Sequence, residues 1–463
     1  MNPTTNRHHA TFATAVRRGR TLGAVALAAA TLAVGCGAGD GTEGGGEHEG
    51  QTSLAMTGPV GISFDNLFDN GQDGRKVTAP PPGLTEDAAA AVRQPDGKIV
   101  VTGTSHGTTS NMYVRRYNAD GSIDSGFATA GRFPGLASST GLSAPVGIFL
   151  VPSTGAILMV GSYDTAQGTC HFSMRLTSTG SRDTTYGFLG TATTCFAQSV
   201  VATDADMLPD GRVVIGGYSG GGVTSLVRYT TSGALDTTFG TNGVAATAPF
   251  GTRIDAVRVS NGQIYVTTSN GSRVAVVRYN GNGTVDHTWN GTGYDVLAAP
   301  VSGQLLSIAV QPWDNKVVVA GYGRGANEGR GFASAFIARL AASGVPDASF
   351  GTAGIYENTV GTGLSEYVGL TFLADHTILA MGQVAVAGTS RPTGLVSRFD
   401  ATGHLYPSFA LAGNFVQDAA PYVGSFFAET AIAIDETATS GHVLLVGTDH
   451  TGAALMQYAM SVL

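Results

Sequence analysis

The sequence is poor in charge, in cysteine and in long apolar runs, and each shortage excludes something. Charged residues are 13% of 463 and hydrophobic residues 43%, a balance too apolar for a disordered chain. Beyond the first 35 residues no stretch is long and apolar enough to cross a bilayer. No cluster of Lys and Arg with interleaved aromatics occurs, and the balance is acidic, 25 basic residues against 33. Nucleic acid is therefore excluded as a partner, because such a field repels a polyanion. The ten histidines are scattered, with no i, i+4 pair of the helical zinc type, and neither a metal nor another cofactor is expected.

What is abundant is glycine, 67 residues, which argues against a helical bundle and for short strands joined by tight turns. A chain of 463 residues also exceeds the size at which one hydrophobic core stops growing. Several domains, a barrel or a repeat array remain.

The N-terminus reads as an address. Arg17 to Arg20 form a basic segment and Leu22 to Val34 a short apolar one, the pattern of a signal peptide over residues 1–35. Leu32-Ala33-Val34-Gly35-Cys36 resembles the bacterial lipobox, in which the Cys becomes the lipid-modified N-terminus. The departure is Ala33 where the pattern prefers Leu. The resemblance implies lipidation at Cys36, with attachment to the cell envelope, at the outer membrane or cell surface, through the lipid alone; otherwise the protein is secreted. Residues 36–57, GAGDGTEGGGEHEGQTS after the Cys, have almost nothing to bury and are expected to form a tether. Removing the leader takes away Arg7, Arg17, Arg18 and Arg20, so 21 basic residues face 33 acidic ones, a net charge of −12.

Residues 58–463 are built from a repeat of about sixty residues. Its clearest copy is AAAAVRQPDGKIVVTG…MYVRRYNADGSIDSGFATAGRF, residues 88–133. Aligning the Arg before an aromatic or Leu gives Arg116, Arg175, Arg228, Arg278, Arg339 and Arg398, with Gln457 in a seventh copy. Alternating apolar residues flank PDG-like and NADG-like turns, the mark of antiparallel hairpins, and four strands per unit suit a propeller blade. The seventh copy stops after its third strand, and GISFDNLFDNGQDGRKVT near the N-terminus matches the GALDTTFGTNGVAAT that closes other copies. The fold class expected is all-β: a β-propeller of seven four-stranded blades, the last closed by the N-terminal strand. This pattern resembles the delta-60 repeat family of bacterial surface and secreted proteins, over roughly residues 58–463. That family implies no one activity. An open solenoid is the alternative architecture.

Cys170 and Cys195 fall in one repeat and fit a disulfide in an exported protein. Five Arg/Asp pairs recur across one turn: Arg116 with Asp124, Arg175 with Asp183, Arg228 with Asp236, Arg278 with Asp286 and Arg339 with Asp347. Identical placement in each copy points to structure rather than chemistry. The sixth copy has Tyr406 in place of the Asp and the seventh Gln457 in place of the Arg, so looser packing is expected there. The aromatics Phe68, Phe127, Tyr186, Phe239, Trp289, Phe350 and Phe409 are expected to wedge between blades.

No catalytic set stands out. Gly217-Tyr218-Ser219-Gly220-Gly221 satisfies G-x-S-x-G, but a hairpin loop rather than a helix follows. Gly321 to Ala326 approximates a dinucleotide fingerprint without its helix. Asp69 to Gly74 starts like a calcium loop, yet Gly71 holds the third ligand position and Pro80 the twelfth. The long, varied loops all fall on one face, the face of the connections between blades and of each middle hairpin loop. The reading is a non-enzymatic binding or scaffold module for an envelope protein or glycan. Its candidate contacts are Tyr163, Asp164, Tyr218, Tyr322, Arg324, Glu328, Arg330, Arg391, Tyr422, Asp449 and His450. The alternative is a propeller hydrolase or lyase acting on envelope or extracellular glycans, its acid and base drawn from Asp164, Glu328, Asp449 or His450.

Overall fold

A computed structural model describes residues 62–64, 68, 75–135, 143–166, 168–196, 199–219, 221–298, 301–324, 333–361, 363–373, 375–386, 392–410, 412–416, 427–436, 440–448 and 452–461. All lie in one compact unit, Thr57–Leu463. Cys36, the leader and tether, and the Asp69–Gly74 segment fall outside the described residues.

The unit is a seven-bladed β-propeller of antiparallel sheets. The innermost strands, one per blade, are Thr85–Arg93, Ser143–Leu150, Val200–Met207, Arg253–Ser260, Val301–Val310, Ser365–Phe372 and Phe427–Glu436. The only helical element among the described residues is a 3-10 turn, Trp289–Gly291. Blade 3 departs from the expected regularity. Its sheet has three regular strands, and the fourth shrinks to the bridge Val227–Val244 and one bond from Ala245 N to Leu226 O at 2.9 Å.

Blade 7 is closed from the other end of the chain. Arg75–Thr78 pairs with Ala453–Met456, and Ile62–Phe64 adds a further short pairing with Tyr458–Met460. Thr78 Oγ1 lies 2.9 Å from the Tyr117 hydroxyl in blade 1, and Ala88 N donates to Thr448 Oγ1 in blade 7. The ring is thus sealed on both sides of the join.

The core is divided into seven clusters, one per junction between neighbouring blades. Each contains one of the seven wedge aromatics, and all seven are buried. The wedge ring of one blade lies against the turn glycine of the next: a Cβ on Gly180 would meet Phe127 at 2.7 Å, and one on Gly344 would meet Trp289 at 2.6 Å. The glycine of the NADG turn therefore serves two needs, a positive φ and room for the neighbour's ring. Burying each ring contributes roughly 2–3 kcal/mol.

The Arg/Asp pairs tie the same junctions. Nε of Arg116, Arg175, Arg228, Arg278 and Arg339 donates to Asp124, Asp183, Asp236, Asp286 and Asp347 at 2.7–2.9 Å. Each guanidinium also stacks on its blade's wedge ring, 4.5 Å above Phe239 for Arg228. Its Nη1 then reaches a carbonyl of the next blade: Ser178 for Arg116, Thr231 for Arg175, Gly281 for Arg228 and Ala401 for Arg339. In blade 4 the Trp289 indole N–H donates to the equivalent carbonyl, Ala342 O, at 3.0 Å. The basic residue of the first turn adds a second cation, Lys98 on Asp124, Arg212 on Asp236 and Lys316 on Asp347. Burial raises the Asp236 pKa, but bonds from Thr238, Arg212 and Arg228 outweigh it and hold the carboxyl at about 2.

Looser packing at the sixth copy is not what the structure shows. Arg398 is 1% exposed, and its carboxylate comes from Asp375 in the first turn, with Thr377 Oγ1 accepting from Nε at 3.0 Å. Tyr406 instead lies under the guanidinium, 4.4 Å to the ring centroid. Gln457 in blade 7 is likewise buried.

One repeated feature escapes sequence reading. The inner strand of every blade has a bulge, between Ala88 and Ala90 in blade 1 and at the matching place elsewhere. Opposite it on the second strand stands Gly103, Gly161, Gly217, Gly321, Gly382 or Gly447, and Thr268 in blade 4. A Cβ at the first five of these would lie 1.8–2.1 Å from an inner-strand carbonyl oxygen. The recurrent Gly closing V-V-T-G, V-V-A-G and L-A-M-G was the available signal.

Candidate functional site

In this meander the inner strand of each blade begins on the long-loop face and runs towards the short-turn face. The ties described above sit at the short turns. At the long-loop ends the polar side chains differ from blade to blade, so repetition does not account for them.

In blade 1 the buried Glu86 carboxylate is held between Arg115 Nη2 at 2.9 Å and Arg132 Nη2 at 2.8 Å. Arg115 Nη1, the Tyr113 hydroxyl and Ser105 Oγ are buried on the same sheet face without a hydrogen-bond partner among the described residues. Burial pushes the Tyr113 hydroxyl pKa well up. On the opposite face of the same sheet, His106 bridges Asp87 Oδ1, 2.7 Å from Nε2, and Ser110 Oγ, 3.1 Å from Nδ1.

In blades 3 and 4, Arg253 pairs with Asp255 at 2.6 Å, and its guanidinium carbon lies 5.2 Å from the centroid of the Tyr218 ring. Asp255 Oδ2 accepts from Ser269 Oγ at 2.7 Å. In blade 5 the Tyr322 hydroxyl donates to Gln304 Oε1 at 3.2 Å, and in blade 6 Gln383 Nε2 donates to Glu366.

Of the residues singled out from sequence, Tyr163, Asp164, Tyr218 and Tyr322 are described, and each is half-buried at the long-loop end of a second strand. Asp164 accepts from Thr169 Oγ1 at 2.9 Å, and Tyr163 packs edge-on against Phe172. Arg324 is described through its backbone alone, paired with Val301. Glu328, Arg330, Arg391, Tyr422, Asp449 and His450 lie outside the described residues. Glu86, Asp87 and His106 were missed because their partners come from other strands, and Arg253 and Asp255, two apart on one strand, because they meet Tyr218 and Ser269 only across strands. Cys170 and Cys195 are joined in a disulfide.

The two motif matches find no support. Ser219 N donates to Val223 O and Gly222 N to Ser219 O, so strand, turn and strand surround Ser219. Gly321–Arg324 ends a strand, and the next described element is another strand.

Residues 94–127, 208–239, 260–288 and 314–350 match the family described as "Domain of unknown function (DUF5122) beta-propeller". These are propeller-family repeats. Each matched segment runs from a first turn through the third turn and its Asp. No curated protein sequence matches the chain. Among solved structures, a protein of unknown function from Dyadobacter fermentans DSM 18053 is 12% identical, with 84% of this chain and 98% of that one covered and a TM-score of 0.42. A polysaccharide lyase described as a PL25 ulvan lyase is 10% identical, with coverage of 82% and 95% and a TM-score of 0.46. The propeller domain of the trilobed protease of Pyrococcus furiosus is 8% identical, with coverage of 81% and 97% and a TM-score of 0.40. At these values the likeness carries no statement about what this chain does.

Proposed function

We propose that the protein is a cell-envelope lipoprotein, anchored through Cys36, whose propeller acts as a non-enzymatic binding or scaffold module through its long-loop face. The observation that carries this reading is the contrast between the two faces. Polar groups repeated in blade after blade are spent on inter-blade ties, whereas the long-loop ends carry unrepeated, partly open groups on a rigid frame, the usual placement of recognition. The lipid anchor follows from the lipobox-like Leu32–Cys36 segment alone, and the partner class is an envelope protein or glycan.

The test is retention of envelope protein and polysaccharide fractions by the purified protein, beside a variant carrying Arg324→Ala, Glu328→Ala and Arg330→Ala. Retention lost in the variant, with the thermal midpoint unchanged, supports the long-loop face. No retained fraction, or equal retention by both proteins, contradicts it.

One observation favours a second reading, hydrolysis. Asp87, His106 and Ser110 stand in the order orienting acid, base and nucleophile, and the tautomer that donates from Nε2 to Asp87 leaves Nδ1 to accept the Ser110 proton. Labelling of Ser110 by a fluorophosphonate probe, lost in His106→Ala, is the outcome that reading requires; an unlabelled Ser110 removes it.

A further inference from the structure

We infer that the notch between blades 3 and 4 on the long-loop face binds a carboxylate-bearing sugar unit of an anionic glycan. Arg253 takes the carboxylate, and Tyr218 borders the sugar ring. The inference rests on the long-loop face being the binding face and names its ligand class.

Arg253 is ion-paired from behind. Its Nε lies 2.6 Å from Asp255 Oδ1, without the alignment of a hydrogen bond, and Asp255 is buried, its side chain 1% exposed, with Ser269 Oγ on its other oxygen. A guanidinium held on one edge by a buried carboxylate loses little rotamer freedom on binding a second one. Its own side chain remains 33% exposed. Asp255 owes its position to the inner-strand bulge, where two residues oppose one. The same place holds Ala89, Val146, Thr203, Leu306 and Val368 in other blades. Blade 7 has Glu429 at that place, so a carboxylate there is shared by blades 4 and 7.

The loop beside this ion pair is rich in glycine. The loop after Tyr218 is Ser219-Gly220-Gly221-Gly222-Val223, with no side chain between the serine and the valine. A Cβ on Gly222 would find one heavy atom within 4 Å, Thr252 Cβ at 3.8 Å. Gly251, which leads into Arg253, is demanded by packing: it has φ +86°, and a Cβ there would meet Thr268 Cβ at 2.7 Å. The G-x-S-x-G match thus has a physical content other than a nucleophile elbow, a hairpin tip stripped of side chains beside an aromatic and a cation.

A planar guanidinium offers paired N–H donors to a carboxylate, and an aromatic ring packs against the C–H face of a pyranose. A neutral sugar uses the ring alone. The protein's acidic charge repels a polyanion overall, so the attraction is local and weakens as salt screens it.

The experiment is calorimetric titration of the full chain with a galacturonate hexamer and, separately, with the uncharged maltohexaose. The variants are Arg253→Gln, Tyr218→Leu and Gly221→Glu. Gly221→Glu adds a charge like the ligand's to the loop that follows Tyr218 while keeping Arg253, Asp255 and Tyr218 themselves, and its thermal midpoint separates loss of binding from unfolding. The result expected is galacturonate binding at least ten-fold tighter than maltohexaose, reduced ten-fold or more by Arg253→Gln and by Gly221→Glu, with thermal midpoints of wild type and Gly221→Glu alike. No galacturonate binding, equal affinity for both sugars, or unchanged affinity in Gly221→Glu overturns the inference. If envelope fractions are still retained and that retention is lost in the Arg324→Ala, Glu328→Ala, Arg330→Ala variant, the failure is confined to the notch; if retention fails as well, the face reading fails with it.

Discussion

Arg398 pairs with Asp375, a residue 23 positions earlier, whereas five other blades pair the same arginine with an aspartate eight positions later. The guanidinium is enclosed either way, so the carboxylate is required and its source is free. Removing one partner of a buried pair leaves an uncompensated charge and costs about 3–5 kcal/mol. Asp375→Asn is therefore expected to lower the urea midpoint, though less than Asp236→Asn, because the Asp375 side chain is 29% exposed against 7% for Asp236. Adding Tyr406→Asp to Asp375→Asn is expected to recover part of the loss. An Asp375→Asn protein as stable as wild type contradicts the pairing.

The glycine opposite the bulge gives a second expectation. At Gly217 a methyl group would lie 1.9 Å from Val201 O, so the strands must separate and Gly217→Ala is expected to cost several kcal/mol or to prevent folding. Gly155 is the opposite case: unlike Gly217 it has a positive φ, +66°, but no heavy atom lies within 4 Å of an added Cβ. Gly155→Ala is expected to cost only about 1–2 kcal/mol. Thermal unfolding of the two proteins side by side separates close approach from backbone strain.

His171 is buried with neither ring nitrogen partnered among the described residues, edge-on to Phe196, and burial pushes its pKa down to about 4. The folded value is depressed, so the unfolded chain takes up the proton first. Stability present above pH 6.5 is lost as pH falls towards 4, by up to roughly 3 kcal/mol. His171→Phe is expected to flatten that limb of the stability profile. A profile unchanged by the substitution sinks the assignment. A second loss lies lower: Asp236 and its equivalents have depressed values, so their contribution is present above about pH 4 and falls away as pH drops through the folded values.

The disulfide joins residues 25 apart, with Cys170 buried and Cys195 exposed at the end of blade 2. Its reduction is expected to destabilise blade 2 by about 3 kcal/mol, from the loop entropy returned to the unfolded chain. Hydrogen exchange with and without reductant should localise the change to residues near 168–196, and a uniform change across all blades speaks against it.

Blade count, closure by the N-terminal segment and the Arg/Asp pairs were legible because each is a local pattern repeated at nearly constant spacing. What was not legible joins residues from different strands or blades. The Glu86 carboxylate meets Arg115 and Arg132 only when three strands assemble, and Asp375 reaches Arg398 across a sheet. The weak fourth strand of blade 3 was also unseen, since Gly243-Val244-Ala245 reads like the closing strand of its neighbours but pairs only through the Val227–Val244 bridge and the bond from Ala245 N to Leu226 O. The site suffers most from this, because departures from the repeat carry function and an alignment of repeats discards them.

The account turns on a division of labour between the two faces, and one paired comparison tests it most directly. Asp236→Asn and the triple Arg324→Ala, Glu328→Ala, Arg330→Ala variant would each be measured for thermal midpoint and for retention of envelope fractions. The account predicts that Asp236→Asn lowers the midpoint and keeps retention at temperatures where it is folded, while the triple variant keeps its midpoint and loses retention. Retention lost in folded Asp236→Asn but kept in the triple variant would place binding on the short-turn face and contradict the account.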